Sequence, residues 1–266
     1  MIAKEWRDAR WKLGLGAVLL FVLLFRFPVL PSYEETLELV RTWPVGDPAF
    51  PKPDPVNLAL ENLSIVYGVG GGLMLAALAL LLGVGLVSSE VSKGTIFLLL
   101  SRPVSRARTL LTKYAARAGV LLLAAVSGSV VLFLSAAVKG YPLSSVHFAG
   151  VVFSVALLWL GSLFVLGVAL LFSVLFRDAI KSFVAAGIVA FVALSPDNWM
   201  NYFLWNEYHA LGLSDGFPRS VTLFYYWFST RSFLGEGLAL TDFVVCLIAA
   251  ALPLLLALWL FRRKAY

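Results

Sequence analysis

The sequence predicts an all-α protein that crosses a membrane several times. Hydrophobic residues make up 61% of its 266 residues and charged residues only 14%, and the mean hydropathy is +0.90. A soluble globular protein of ordinary composition has about 25% charged residues, so this composition excludes that class. The apolar residues are also grouped in long runs, and helices satisfy their backbone polar groups internally when they cross roughly 30 Å of hydrocarbon.

Six apolar runs are candidates for transmembrane helices, and we predict one membrane domain over 1–266 that contains them. A helix needs roughly 20 residues to cross the hydrocarbon layer. The fifth run approaches this length only if its helix begins near Asp178. The predicted spans are 13–30, 63–87, 118–138, 148–176, 179–195 and 243–261.

The positions of the basic residues predict the orientation. Lys and Arg concentrate in short loops on the cytoplasmic side of a membrane. Fifteen of the 21 lie before the first span, between spans two and three, at the junction of spans four and five, or after the last span. Both termini are therefore predicted to be cytoplasmic, in a multi-pass protein of the cell membrane. Because this bias also explains the net charge of +6, we expect contacts with membrane lipid and none with nucleic acid.

Two outer loops, 31–62 and 196–242, are long enough to hold structure of their own. Five prolines between Pro44 and Pro55 should prevent a continuous helix in the first loop, although 33–43 has the pattern of a short amphipathic helix. The second loop is rich in Trp, Tyr and Phe, which favour the boundary between membrane and water. We expect it to lie at that boundary or to dip into the membrane and return.

The stretch 88–117 differs from the apolar runs on either side of it. Gly94 can end the helix that extends from the second span, because glycine readily adopts the left-handed conformation. Residues 95–100 are apolar but too few to cross a membrane. Pro103 ends this segment, and Ser105 is a suitable N-cap for a helix that runs from Arg106 into the third span. The pattern predicts a short helix held between two turns at the cytoplasmic face.

This stretch reads SSEVSKGTIFLLLSRPVSRARTLLTKYAAR. It resembles the first cytoplasmic loop of the permeases of type-2 ABC transporters, in which similar residues occur in the same order. The residues that carry the resemblance are Glu90, Lys93, Gly94, Thr95, Leu98, Leu99, Leu100, Ser101, Pro103, Ser105, Arg106 and Lys113.

The resemblance implies that 88–114 is a coupling loop, whose short helix docks on a separate ATP-binding subunit. Family members often have an acidic residue shortly after the Gly-Thr pair, whereas this chain has Ile96, Phe97 and Leu98. Apolar docking by Phe97 and Leu98 is therefore expected in place of a salt bridge. The expected docking residues are Glu90, Lys93, Gly94, Thr95, Phe97, Leu98, Leu99, Ser101, Arg102, Pro103, Ser105 and Arg106. The alternative is a re-entrant loop whose arginines contact lipid phosphates.

As a whole, the resemblance implies the membrane-spanning subunit of an ATP-driven exporter that moves its substrate by alternating access. Two permeases, as a homodimer or a heterodimer, would pair with two ATPase subunits. We find no GxxxxGKS/T loop in the sequence, so ATP and Mg²⁺ are expected on the partner and no cofactor on this chain.

Two smaller groups of residues have candidate roles. Arg177, Asp178 and Lys181 form a short charged inner loop, which is either a second contact with the ATPase or a simple charged turn. Gly68 and Gly72 have the spacing of small residues that lets two helices pack closely.

Two other classes of function compete with transport. A membrane-embedded enzyme that modifies lipid would need a cluster of reactive side chains near one face, but the inner loops offer only Glu90 and Asp178, far apart in sequence. His147 and His209 occur singly, so neither a metal site nor a catalytic site is expected. A membrane scaffold without transport activity is the other alternative.

Overall fold

The computed structural model describes residues 31–43, 52–92, 94, 105–194, 223–227, 237–238 and 240–264. Every regular element within these residues is helical, so the predicted all-α class is confirmed for this part of the chain. The predicted first span and residues 93 and 95–104 of the coupling loop lie outside the described residues.

Nine α-helices lie within the described residues. We number the α-helices α1 to α9; a π-helical turn, Val66–Gly71, joins α2 to α3, and a 3-10 turn, Leu143–Ser145, precedes α6. The α-helices are α1 (Tyr33–Arg41), α2 (Pro55–Ile65), α3 (Gly72–Gly83), α4 (Ser88–Ser92), α5 (Arg106–Val138), α6 (Phe148–Leu175), α7 (Ala179–Ala193), α8 (Leu223–Trp227) and α9 (Leu240–Arg263).

Four helical segments of the described chain are long and apolar enough to cross a membrane. They correspond to the predicted second, third, fourth and sixth spans, and are Pro55–Ser92, Arg106–Val138, Phe148–Leu175 and Leu240–Arg263. The predicted fifth span corresponds to α7, a shorter apolar helix of 15 residues that is about 22 Å long. The chain is thus a multi-pass membrane protein, while six spans and cytoplasmic termini remain predictions.

The helix that contains the second span begins eight residues earlier than predicted. The sequence placed 55–62 in an outer loop because of its prolines, but Pro55 occupies the first position of α2, where its missing N–H breaks no hydrogen bond. Asp54 caps the helix by accepting a hydrogen bond from the amide of Asn57 at 3.0 Å. The proline-rich stretch therefore ends where α2 begins.

The predicted helix in 33–43 is confirmed as α1, which ends at Arg41. Ser32 and Glu35 form a reciprocal capping box at its start. The Tyr33 amide donates to the carbonyl oxygen of Lys139 at 3.1 Å, and the Tyr141 hydroxyl donates to the carbonyl oxygen of Pro31 at 2.9 Å. These bonds hold the start of α1 against the connection between α5 and α6.

Helix α6 lies at the centre of the bundle and packs against α3, α5, α7 and α9. Glycines allow this packing: a Cβ atom at Gly167 would lie 2.9 Å from Cγ of Pro253 in α9, and one at Gly83 of α3 would collide with Ala169 of α6. The predicted packing residues Gly68 and Gly72 are both buried, and their role remains a prediction.

A short piece of the aromatic segment 196–242 reaches the middle of α6. Trp227, in α8, is 1% exposed, and its indole N–H donates to the carbonyl oxygen of Leu158 at 3.1 Å. Its ring lies directly against Gly161, where any side chain would collide with it. Of the two positions predicted for the segment, this contact favours the one in which it dips into the membrane.

Candidate functional site

The candidate site lies at one end of the bundle, where the two sides of the predicted coupling loop meet the membrane helices. We call this the loop end; it comprises α4, the start of α5, the end of α6, the start of α7 and the end of α9. Four of the predicted docking residues are described, namely Glu90, Gly94, Ser105 and Arg106. The other eight lie outside the described residues: Lys93, Thr95, Phe97, Leu98, Leu99, Ser101, Arg102 and Pro103.

The chain bends before it enters the loop. Helix α3 ends at Gly83, Val84 is extended (φ −65°, ψ 133°), and Gly85 has φ +81°, a conformation that only glycine adopts readily. Helix α4 then begins at Ser88. The sequence predicts that the helix of the second span extends as far as Gly94, so this break is a correction, although the two glycines at 83 and 85 are a signal for one.

Both predicted ends of the loop have the expected geometry. Gly94 has φ +68°, and its amide donates to the carbonyl oxygen of Val91 at 3.1 Å, which closes the last turn after α4. Ser105 caps α5, because its hydroxyl oxygen accepts a hydrogen bond from the Arg108 amide at 3.3 Å. The predicted helix start at Ser105 is therefore confirmed, whereas Gly94 ends α4 and not a helix continuous with the second span. Docking by these residues remains a prediction.

Glu90 and Lys113 join the two sides of the loop by an ion pair. Lys113 Nζ lies 2.5 Å from Glu90 Oε1, and the two side chains are 4% and 26% exposed respectively. Lys113 Nζ also donates to the carbonyl oxygen of Leu86 at 3.1 Å. A buried ammonium group is stable only when it is paired and hydrogen-bonded, and these contacts meet that need. The resemblance identified both residues, but it did not predict that they touch.

Ser173, near the end of α6, holds the start of α4. Its hydroxyl oxygen accepts hydrogen bonds from the amides of Val87 at 2.9 Å and Ser88 at 3.1 Å. The Ser173 hydroxyl in turn donates to the Ser88 hydroxyl oxygen at 3.4 Å. Both serines are fully buried. Sequence reasoning missed Ser173, because a serine within an apolar run gives no indication of which helix it will meet.

The basic C-terminal segment belongs to the same end of the bundle. Lys264 Nζ donates to the carbonyl oxygens of Val174 at 2.8 Å and Leu175 at 2.9 Å, and so satisfies two acceptors that the end of a helix leaves open. Arg106 Nη1 donates to the carbonyl oxygen of Lys264 at 2.9 Å. Partial burial, together with the nearby charge of Arg177, lowers the pKa of the Lys264 ammonium group.

The predicted second contact lies next to this C-terminal segment. Arg177, Asp178 and Lys181 are all exposed. Asp178 also has a local task, because it caps α7 by accepting a hydrogen bond from the Ile180 amide at 2.8 Å. The three residues can therefore meet another protein, but Asp178 is explained by the fold alone.

No group of three or more His, Cys, Asp or Glu side chains within the described ranges could hold a metal ion. The site contains polar contacts between residues far apart in the sequence. They join α4 to α5 and α6, and join the start of α5 to the end of α9, which is in turn joined to α6.

The model of the family described as "ABC-2 family transporter protein" matches residues 1–265. No curated protein matches the chain.

Proposed function

From the premise that this chain belongs to the ABC-2 transporter family, as the match over residues 1–265 shows, we propose that it is the permease of an ABC exporter. It pairs with a separate ATP-binding subunit, which carries ATP and Mg²⁺. Two permeases, identical or related, together form the membrane-spanning part of the transporter in the cell membrane. Closure of the ATPases moves the coupling loop and switches the bundle between inward and outward openings.

The observation that carries this proposal is the attachment of the loop 88–114 to the bundle. The described part of the loop consists of α4 and Gly94 on one side, and of Ser105 and the start of α5 on the other. The Glu90–Lys113 pair holds these two sides together. The two described sides of the loop, α4 and the start of α5, therefore form a fixed base for the segment expected to dock. A rigid base suits a segment that must receive a push from a partner, since a loose loop would absorb the movement.

We test the docking by placing negative charge in the segment 95–100 and measuring whether the ATPase still binds. The tagged chain is purified in mild detergent from its own host, and co-purifying proteins are identified by mass spectrometry. We expect a soluble ATPase with a Walker motif to co-purify with the parent chain and to be lost from the Phe97→Asp, Leu98→Asp double variant. The matched control is Leu39→Asp, because Leu39 is a half-exposed apolar residue of α1, remote from the loop.

The outcomes separate the proposal from its alternatives. An ATPase that stays bound to the double variant would show that 95–100 is not its docking segment. Recovery of the parent chain alone, repeated after crosslinking in intact cells, would remove the support for a permease and favour a scaffold or a lipid-modifying enzyme.

A further inference from the structure

The short helix α4 is held in place by its neighbours rather than by the helix that precedes it. Five residues are too few for a helix that is stable by itself, and the break Val84–Val87 separates α4 from α3. Because Gly85 is left-handed, the chain changes direction there. A push on α4 is therefore poorly transmitted along the backbone into α3.

The first attachment of α4 is to α5. Lys113, two turns into α5, pairs with Glu90 of α4 and donates to the carbonyl oxygen of Leu86 in the break. One ammonium group thus connects α5 to α4 and to the turn before it. Because the lysine side chain is almost fully buried, salt screens this attraction less than it would screen a surface pair.

The second attachment of α4 is to α6. The amides of Val87 and Ser88 donate to the hydroxyl of Ser173. The first amides of a helix have no partner within the helix, so Ser173 supplies acceptors that α4 itself cannot. Ser173 precedes Val174 and Leu175, whose carbonyl oxygens accept from Lys264, so the same turn of α6 is also joined to the end of α9.

We propose that Glu90, Lys113 and Ser173 are positioning residues that join α4 to α5 and α6, so that movement of the coupling loop enters the membrane through these two helices instead of α3. We call the three residues the α4 joint. The inference rests on the proposed function for the source of the movement, while the joint itself rests on the contacts described above.

The first test measures how strongly the contacts of the α4 joint hold in the chain without its ATPase. Hydrogen exchange of the full chain in lipid nanodiscs reports the opening of individual amides. Glu90→Gln should speed exchange about tenfold in the first two turns of α5, although the changed residue is in α4, because it weakens the bond to Lys113. Ser173→Ala should speed exchange by about the same factor at Val87 and Ser88.

Two matched variants control for general loosening. Ser154 is a buried serine of α6 whose hydroxyl donates within its own helix, to the carbonyl oxygen of Gly150 at 2.9 Å. Glu38 is an exposed carboxylate of α1. Ser154→Ala and Glu38→Gln should leave exchange in α4 and at the start of α5 unchanged. Equal exchange in the joint variants and in these controls would overturn the joint.

The second test measures transmission in the complex with the ATPase. Spin labels replace Glu61 of α2 and Val138 at the end of α5, both of which are exposed. Trapping the complex with ATP and orthovanadate should change the distance between the labels, because α5 is driven and α2 is not. Lys113→Met and Ser173→Ala change residues outside the expected docking set. Both should reduce this change while the ATPase still co-purifies, whereas Ser154→Ala should keep it.

The double variant Glu90→Gln, Lys113→Met adds a readout that a purely structural role would not give. Because the two residues act through one contact, the double variant should lose no more of the distance change than either single variant. A change that persists in all joint variants, or that is absent from the parent complex, would overturn transmission through α5 and α6. Failure of the parent chain to bind any ATPase would overturn the proposed function and with it the transmission, but the exchange test would still decide the joint.

Discussion

Nη1 of Arg106 donates a hydrogen bond to the carbonyl oxygen of Lys264 at 2.9 Å, between residues 158 positions apart in the sequence. Lys264 continues the connection by donating to Val174 and Leu175. The start of α5, the end of α6 and the end of α9 are thereby joined. The basic C-terminal segment consequently stabilises the fold. Its positive charge also predicts the orientation of the chain in the membrane.

Replacing Lys264 by alanine should lower the free energy of unfolding by about 1–2 kcal/mol, because two carbonyl oxygens of α6 lose a charged donor. Arg262, exposed in the last turn of α9, provides the control, and Arg262→Ala should cost less than about 0.5 kcal/mol. Thermal unfolding of both variants in detergent measures the difference. Equal midpoints would show that the bonds of Lys264 contribute nothing measurable.

Alanine at Gly167 should destabilise the protein by about 1–3 kcal/mol, because its Cβ would overpack the contact between α6 and α9. The added atom would lie 2.9 Å from Cγ of Pro253 and 3.4 Å from the amide nitrogen of Leu254. Gly119 of α5 has no atom within 4 Å of the same position, so Gly119→Ala should be neutral or stabilising by up to about 1 kcal/mol. If thermal unfolding ranked the two variants in the opposite order, the close packing of α6 on α9 would be wrong.

Truncation of Trp227 to alanine should cost about 3–5 kcal/mol, because it removes a fully buried aromatic side chain and leaves a cavity beside Gly161. Trp259 of α9 is half-exposed, and its replacement by alanine should cost less than about 1 kcal/mol even with the loss of the Arg263 contact over its ring. Unfolding by denaturant in mixed micelles compares the two. A small effect at Trp227 would mean that α8 is not seated in the bundle.

Tyr141 should titrate later than an ordinary tyrosine. Burial raises the pKa of its hydroxyl from 10.0 to about 12, assisted by the charge of Glu35 and opposed by a hydrogen bond with Thr36. Since the pKa is higher in the folded state, the contribution of Tyr141 to stability is complete below pH 10 and is lost between pH 10 and pH 12.

Two measurements check the titration of Tyr141. The difference in tyrosinate absorbance between the parent chain and Tyr141→Phe isolates this side chain from the other tyrosines. The stability of Tyr141→Phe should also fall less steeply above pH 10 than that of the parent chain. A difference spectrum centred near pH 10 would contradict the burial of the hydroxyl.

Local features of this fold could be predicted because their causes are local. The cap at Ser105, the left-handed Gly94 and the short helix α1 each depend on a few neighbouring residues. The apolar runs likewise predicted α5, α6 and α9, because length and hydropathy decide whether a helix can cross a membrane.

The contacts between helices could not be predicted from the sequence. Apolar residues occupy every face of α6, so no periodic pattern in its sequence indicates which face meets α3 or α9. Ser173 and Gly167 are ordinary small residues until the fold places α4 and Pro253 against them. Glu90 and Lys113 were identified singly by resemblance, since an ion pair that spans a loop depends on where both loop ends are anchored.

The seat of Trp227 against Gly161 has a consequence for biogenesis. Ribosomes make α6 before α8 and α9, so the gap at Gly161 exists before the ring that fills it, and α9, which also packs on α8, arrives last. Until then, this side of α6 lacks the Trp227 ring that covers it in the finished fold. A nascent chain that stops before residue 223 would therefore leave Gly161 without its covering ring, a difference from the finished protein that a membrane chaperone or protease could recognise.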